Sequence, residues 1–397
     1  MTRLWEKAGA EPLDERVLRY TAGEDHRLDA RLVPYDVRAS IAHAEMLAER
    51  GLLAPADLAA IRGGLEALAA GHAAGAWQIE LADEDVHTAL ESRLTERIGE
   101  AGGRLHLGRS RNDQVLAALR LYLRDEVAVL AAEANGAAAA LDELAAREAA
   151  TPLPGYTHLQ PAMPSSVPLW AGGFAAELRD DAVGLAGCAR RIDKNPLGSA
   201  AGYGVPLLPI DREGTRRRLG FAVVHEPVTA VQLSRGKAEA QVLFEIALTL
   251  QDLGRLAADL VLWNSREIGF VELPEAMTTG SSIMPQKRNP DVFELVRGRT
   301  ATAHGCLIEA LGVAAKLPSG YHRDLQLIKA PLFRGIDLGH DTLLIMTAAL
   351  TGVRFRPDRI HLPPEIFATE AAYRLVLAEG VSFREAYRRV ATELAER

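Results

Sequence analysis

The sequence predicts an all-α fold, and three observations carry that prediction. Residues 112–150, "NDQVLAALRLYLRDEVAVLAAEANGAAAALDELAAREAA", are nearly free of proline and rich in alanine over about ten helical turns. Residues 234–273 place Val242, Ile246, Leu250, Leu253, Leu256, Leu260 and Trp263 at three- and four-residue spacing. Elsewhere no convincing alternating strand pattern and no repeat of fixed period is visible, which disfavours an α/β sheet. Helices this long belong in an extended bundle. With 48% hydrophobic residues but only 5% aromatics, the core is expected to be built of Ala, Leu and Val.

The elements follow in order. Residues 37–53 carry Ile41, Ala44, Leu47 and Leu52 on one stripe. A second, weaker helix is expected over 54–75. A third runs to about Gly99, with Asp83 as N-cap. The Gly-rich stretch 99–108 marks a first domain boundary, and 151–164 breaks the long helix with prolines. Helices are expected again over 165–193, 234–273, 291–317 and 332–352, with an irregular connection at 195–214. Residues 354–365 read as a linker before two short terminal helices. This gives domains at 1–110, 111–355 and 356–397.

Charge and composition narrow the function. A net charge of −8 argues against general nucleic-acid or membrane-surface binding. The N-terminus has no apolar signal region, no run is long enough to span a bilayer, and a cytoplasmic location is expected. Cys188 and Cys306 alone make neither a disulfide framework nor a cysteine zinc site. His87 and Glu91 lie four apart on one helix but lack a third ligand, so they read as structural groups.

Four Gly/Pro-bent polar loops at helix ends hold the chemistry: "GRSRNDQ" (108–114), "GYTHLQPAMP" (155–164), "TTGSSIMPQKRNPD" (278–291) and "PSGYHRDLQLIK" (318–329). "GSSIMPQKRNPD" resembles the signature of the fumarase/aspartase superfamily. "LHLGRSRNDQV" and "YHRDLQLIK" are similar to patterns of its argininosuccinate lyase branch, and "EDVHTALE", "GYTHLQ", "NPLGS" and "FATEAAYRLVLAEGVSFREAY" add agreement. The resemblance covers about residues 29–390. It implies a subunit in three helical parts, an elongated central bundle flanked by two smaller domains. It also implies a homotetramer whose active sites are shared between subunits.

The implied reaction is elimination of argininosuccinate to fumarate and arginine. A weakly acidic proton leaves the carbon beside a carboxylate, so cations and N–H donors must be aimed at that carboxylate. The resemblance makes Ser281 the base, ionised in a nest of backbone N–H groups beside Lys287. Gly280 would let that loop close as a lid. His158 would be the acid or its orienting group, because histidine titrates near working pH. Glu294 would hydrogen-bond it across an interface. Thr157, Asn289, Ser110, Arg111, Asn112 and Gln114 would donate to the oxygens of the fumarate half. Tyr321, Gln326 and Lys329 would hold the arginine end, with Lys329 on its carboxylate. No metal or organic cofactor is expected, since the nitrogen leaves on a stable guanidinium.

The sequence departs from the family pattern at several points. Met163 and His322 replace the more usual Gln and Asn, and Asp25 falls where a substrate-binding Ser is expected. The N-terminal motif is reduced to "LWEKAG", and the C-terminal domain is short. Two alternatives stand beside the main reading. One is a sibling lyase releasing fumarate from aspartate, malate or a modified amino acid. The other is a non-catalytic helical scaffold.

Overall fold

The computed structural model describes residues 14–396, so the "LWEKAG" stretch lies outside the described residues. The chain divides into two compact units, each assembled from three stretches. One comprises Met1–Val129, Gly184–Ile246 and Ala303–Asp337; the other comprises Leu130–Val183, Ala247–Thr302 and Leu338–Arg397. The fold is all-α, built on long helices at Arg111–Arg147, Val167–Gly187, Lys237–Asn264, Asp291–Ala314 and Lys329–Gly352. Among the described residues no helix is long and apolar enough to cross a membrane.

In the first unit the helices Val33–Glu49, Pro55–Ala73 and Val86–Ile98 pack together around Ala44, Leu47, Ile61, Leu65, Ala89 and Leu94. The first of them begins four residues earlier than its apolar stripe suggests. Pro34 sits in its first turn, where a missing N–H is harmless. Leu52 leaves the helix, because Gly51 turns the chain at φ +70°. The cap of the third helix is Asp85, which accepts from the Thr88 amide at 2.9 Å, and not the expected Asp83. Asp83 instead closes a capping box with Glu80 one turn earlier, and Glu84 at φ +65° separates the two turns. The Gly-rich break holds a short helix of its own, Glu100–Arg104.

In the second unit the expected break at 151–164 is a β-hairpin, Pro152–Thr157 against Gln160–Ser166. Four prolines hide it in the sequence, since proline removes ladder donors. The turn is also unusual. His158 and Leu159 both adopt positive φ (+55° and +58°) where Asn-Gly is the ordinary signal.

The core of this unit is mainly Ala, Leu and Val, as the composition suggests, and a small aromatic cluster joins it. Trp170 lies 4.8 Å from Trp263 and 5.8 Å from Phe355, centroid to centroid, and its indole N–H donates to Asp259 at 2.9 Å. Val271 pairs with Phe355 in a two-residue antiparallel ladder, which fixes the path of the chain leaving the Lys237–Asn264 helix. Trp263 is 4% exposed. Trp263→Ala is expected to lower stability by about 3–5 kcal/mol, read by denaturant unfolding followed by circular dichroism.

Candidate functional site

In the second unit, residues 278–291 form a tight hairpin. Thr279 pairs with Asn289 and Gly280 with Arg288, and the Thr279 hydroxyl donates to Asp291. Ser281 follows the first strand. Its Oγ accepts from the amides of Met284 (3.1 Å) and Ile283 (3.3 Å). Gly280 lies in extended pairing, and a Cβ there would meet no atom within 4 Å. Its glycine is therefore not required by crowding in this conformation.

Lys287 is exposed, and among the described residues its ammonium makes no hydrogen bond or ion pair. Arg288 is likewise exposed but pairs with Glu275. Lys287, Asn289 and Glu294 line one open cavity of about 630 Å³, whose lining does not include Ser281. Met284 is 37% exposed. Thr157 and His158 stand exposed at the tip of the 152–166 hairpin. Among the described residues no hydrogen bond or ion pair joins His158 to Glu294 or to the Ser281 loop; Glu294 faces Arg297 at 4.0 Å.

The first unit holds the remaining candidates. Ser110 caps the Arg111–Arg147 helix. Its Oγ accepts from the Asn112 amide at 3.3 Å, and its own amide donates to Asp113 at 2.9 Å. These two caps open a helix N-terminus, a favourable place for an anion. Ser110, Arg111 and Gln114 line a cavity of about 360 Å³ that also includes His87, Glu91 and His106. His87 is ion-paired with Asp36, and Glu91 with His106 at 3.0 Å.

Arg111, Tyr321, Gln326 and Lys329 come together around a smaller cavity of about 100 Å³. Gln326 donates to the carbonyls of Thr21 (3.0 Å) and Ala22 (3.2 Å), tying down the N-terminal helix. Lys329 is buried, with Nζ 2.7 Å from both Asp25 and Asp29. Burial works against its charge, but the two carboxylates outweigh that and hold its pKa above the usual lysine value. Burial also drives Asp25 upward; Lys329 opposes the shift, Asp29 and Asp85 reinforce it, and its pKa is raised to about 7.

Several groups at this cavity were not singled out from the sequence: Asp29, Asp85, Arg235 and Arg323. The four-residue spacing of Asp25 and Asp29, and the "SRGK" string before the Lys237–Asn264 helix, were the available signals.

The sign of a pH effect follows from Asp25. Its folded pKa lies above the unfolded value, so the folded state holds the proton more tightly and stability falls as pH rises from about 4 to 7. The uncharged amide introduced by Asp25→Asn carries no such penalty. Between pH 5 and pH 8 the stability of Asp25→Asn should gain on wild type by on the order of 2 kcal/mol, measured by urea unfolding at both pH values.

A family described as lyase matches residues 14–305. An argininosuccinate lyase of Sorangium cellulosum (strain So ce56) is 50% identical over 395 residues, covering 99% of this chain and 91% of the relative. One from Xanthomonas euvesicatoria pv. vesicatoria (strain 85-10) is 45% identical over 394 residues, covering 98% and 89%. Among solved structures, an EDDS lyase variant with bound fumarate superposes with a TM-score of 0.81 at 26% identity, covering 96% of this chain and 76% of that one. The class II fumarase of Schistosoma mansoni shares the fold, with a TM-score of 0.79 at 19% identity over 96% of this chain and 89% of that one. The chain belongs to the argininosuccinate lyase family of the fumarase/aspartase superfamily.

Proposed function

We propose that this chain eliminates fumarate from argininosuccinate, leaving L-arginine. The observation that carries the reading is the setting of Ser281. Its oxygen already accepts from two backbone amides, the arrangement that would stabilise an alkoxide. Family membership and relatives named argininosuccinate lyase support the same substrate.

In the proposed reaction Ser281 takes the proton from the carbon beside a carboxylate of the succinyl half. The electron pair left behind loads negative charge onto that carboxylate. Lys287 and Asn289 supply a cation and an amide donor from the same loop, and Thr157, Ser110, Arg111, Asn112 and Gln114 supply further donors. The pair then forms the new carbon–carbon double bond as the bond to the guanidino nitrogen breaks. His158, oriented by Glu294, protonates the departing nitrogen. Tyr321 and Gln326 border the space for the arginine half.

We also propose assembly as a homotetramer with active sites completed by neighbouring subunits. Two observations support it. Thr157, His158 and Lys287 are open to solvent in the single chain and Ser281 is only half-buried, whereas proton abstraction of this kind needs a site closed to water. The long helices also expose large apolar side chains, including Leu169 (69%), Val183 (70%), Leu295 (62%), Ile308 (68%) and Leu344 (57%). A cytoplasmic location fits this reading.

A second reading, release of fumarate from another amine adduct, draws on Asp25 beside Lys329 in the small cavity. One assay separates the two. Wild type with argininosuccinate should show growing fumarate absorbance, and Ser281→Ala should lose about 10²–10⁴-fold in rate. A silent wild type overturns the substrate, and other succinyl adducts are then tried in the same assay. A fully active Ser281→Ala overturns the base.

A further inference from the structure

Asp113 is the one acid of "GRSRNDQ", and the proposed chemistry gives it no part. An acid in the first turn of a helix ordinarily lies at the surface, where the helix dipole favours it and water shares its charge. Asp113 is instead 0% exposed. One of its oxygens, Oδ1, accepts from the Ser110 amide at 2.9 Å. The other, Oδ2, leaves the helix and accepts from two amides of a distant loop, Gly198 at 3.0 Å and Ala200 at 2.9 Å.

That loop is shaped to receive a carboxylate. Gly198 (φ +82°) and Ala200 (φ +48°) both have positive φ, and turns of this kind gather amides into a concavity that binds anions. Here the anion is a side chain of the protein itself. Positive φ is costly at alanine and persists only where its surroundings enforce it. The Ser199 carbonyl accepts from the amides of Gly202 (2.8 Å) and Gly204 (2.9 Å), which closes the turn from its other side. Both loops also press on one short segment. A Cβ at Gly198 would meet Arg212 Cγ at 2.7 Å, and a Cβ at Gly108 would meet Ile210 Cδ1 at 2.8 Å.

Among the described residues no cation pairs with Asp113. Arg109 spends Nη1 on the Ser40 hydroxyl at 2.8 Å. Arg212 is spent on Glu226 and on the carbonyls of Leu197 and His225. Burial raises the pKa of Asp113 to about 6, against the three amides and Arg109, which lower it. At pH 8 it is ionised. A buried carboxylate without an ion pair is a poor device for stability alone. What it provides is geometric, since one small rigid group ties the start of the Arg111–Arg147 helix to the Gly198–Ala200 turn. Its sequence neighbours Ser110, Arg111 and Gln114 line the cavity of about 360 Å³.

We propose that Asp113 is a positioning residue for the proposed elimination: by binding the Ser110, Gly198 and Ala200 amides at once, it holds the Ser110–Asn112 turn in the geometry that receives a carboxylate of the fumarate half. It touches no substrate itself. This proposal rests on the substrate reading above.

The test is Asp113→Asn, which keeps the shape but turns one acceptor oxygen into a donor. Wild type and variant, both full length, are titrated calorimetrically at pH 8 with fumarate and, separately, with L-arginine. Fumarate affinity should fall about 10-fold or more, while arginine affinity stays within about 2-fold. An acid that only stabilises the fold would lower the thermal midpoint and leave both affinities of the folded protein unchanged, or weaken both alike. Either result overturns the proposal, as does a wild type that binds no fumarate.

If Asp113→Asn does not fold, Asp113→Glu, which keeps the charge but displaces the oxygens, should show the same selective loss. If neither folds, hydrogen exchange of wild type decides. Peptides covering 108–114 and 196–204 should be protected before ligand is added, and fumarate should change them little. A turn that gains protection only with fumarate overturns the proposal. A wild type that releases fumarate from argininosuccinate, beside a variant that binds fumarate equally well, refutes the positioning role alone. Selective loss of fumarate binding in the variant, with no fumarate released by wild type, refutes the reaction and leaves the positioning role.

Discussion

The contact on which the first unit depends is Lys329 between Asp25 and Asp29, which joins residues 300 positions apart at 2.7 Å. Taking an ammonium and two carboxylates out of water costs several kcal/mol per ion, and only close mutual contact offsets it. The contact fixes the start of the Lys329–Gly352 helix against the turns that begin at Asp25. One ammonium faces two acids, so the group is net negative when both acids are ionised and neutral when Asp25 holds a proton. The excess negative charge falls on Asp25, the less deeply buried acid, and burial together with Asp29 raises its pKa to about 7. The cavity's character follows from this imbalance. The charge of the lysine is consumed internally, between two aspartates.

The second unit solves a different problem. Its chemical side chains stand on tight turns and not within helices. Ser281 sits where a two-residue ladder ends, and His158 sits in a turn whose positive φ is costly for a residue other than glycine. Such turns aim short side chains outward with little freedom. The aromatic cluster of Trp170, Trp263 and Phe355 and the ladder between Val271 and Phe355 fix the chain between the Lys237–Asn264 helix and that loop. Exposure of these groups in the single chain fits a site that is finished by assembly, as proposed.

Much was legible in the sequence because helices announce themselves locally. The 3.6-residue period, the caps and the glycine stops act within a few residues, so the long helices appear close to where their patterns place them. The hairpin at 152–166 was not legible, because its prolines and its His-Leu turn contradict the usual strand and turn signals. The cap at Asp85 was missed for a similar reason: several acids crowd one stretch, and only the backbone turn at Glu84 decides which of them caps.

The sequence by itself determined the helical class, the polar loops and, through "GSSIMPQKRNPD" and "YHRDLQLIK", the family. These are properties of residue order over short spans. The tertiary structure decided which charges cancel. Lys329 reads as a free ligand-binding cation in its own loop, and Arg235 attracts no notice in "SRGK". Folding brings Asp25 and Asp29 to the first and, among the described residues, leaves the second without an acid. Pairing depends on distance and burial between residues hundreds of positions apart, which local spacing does not encode.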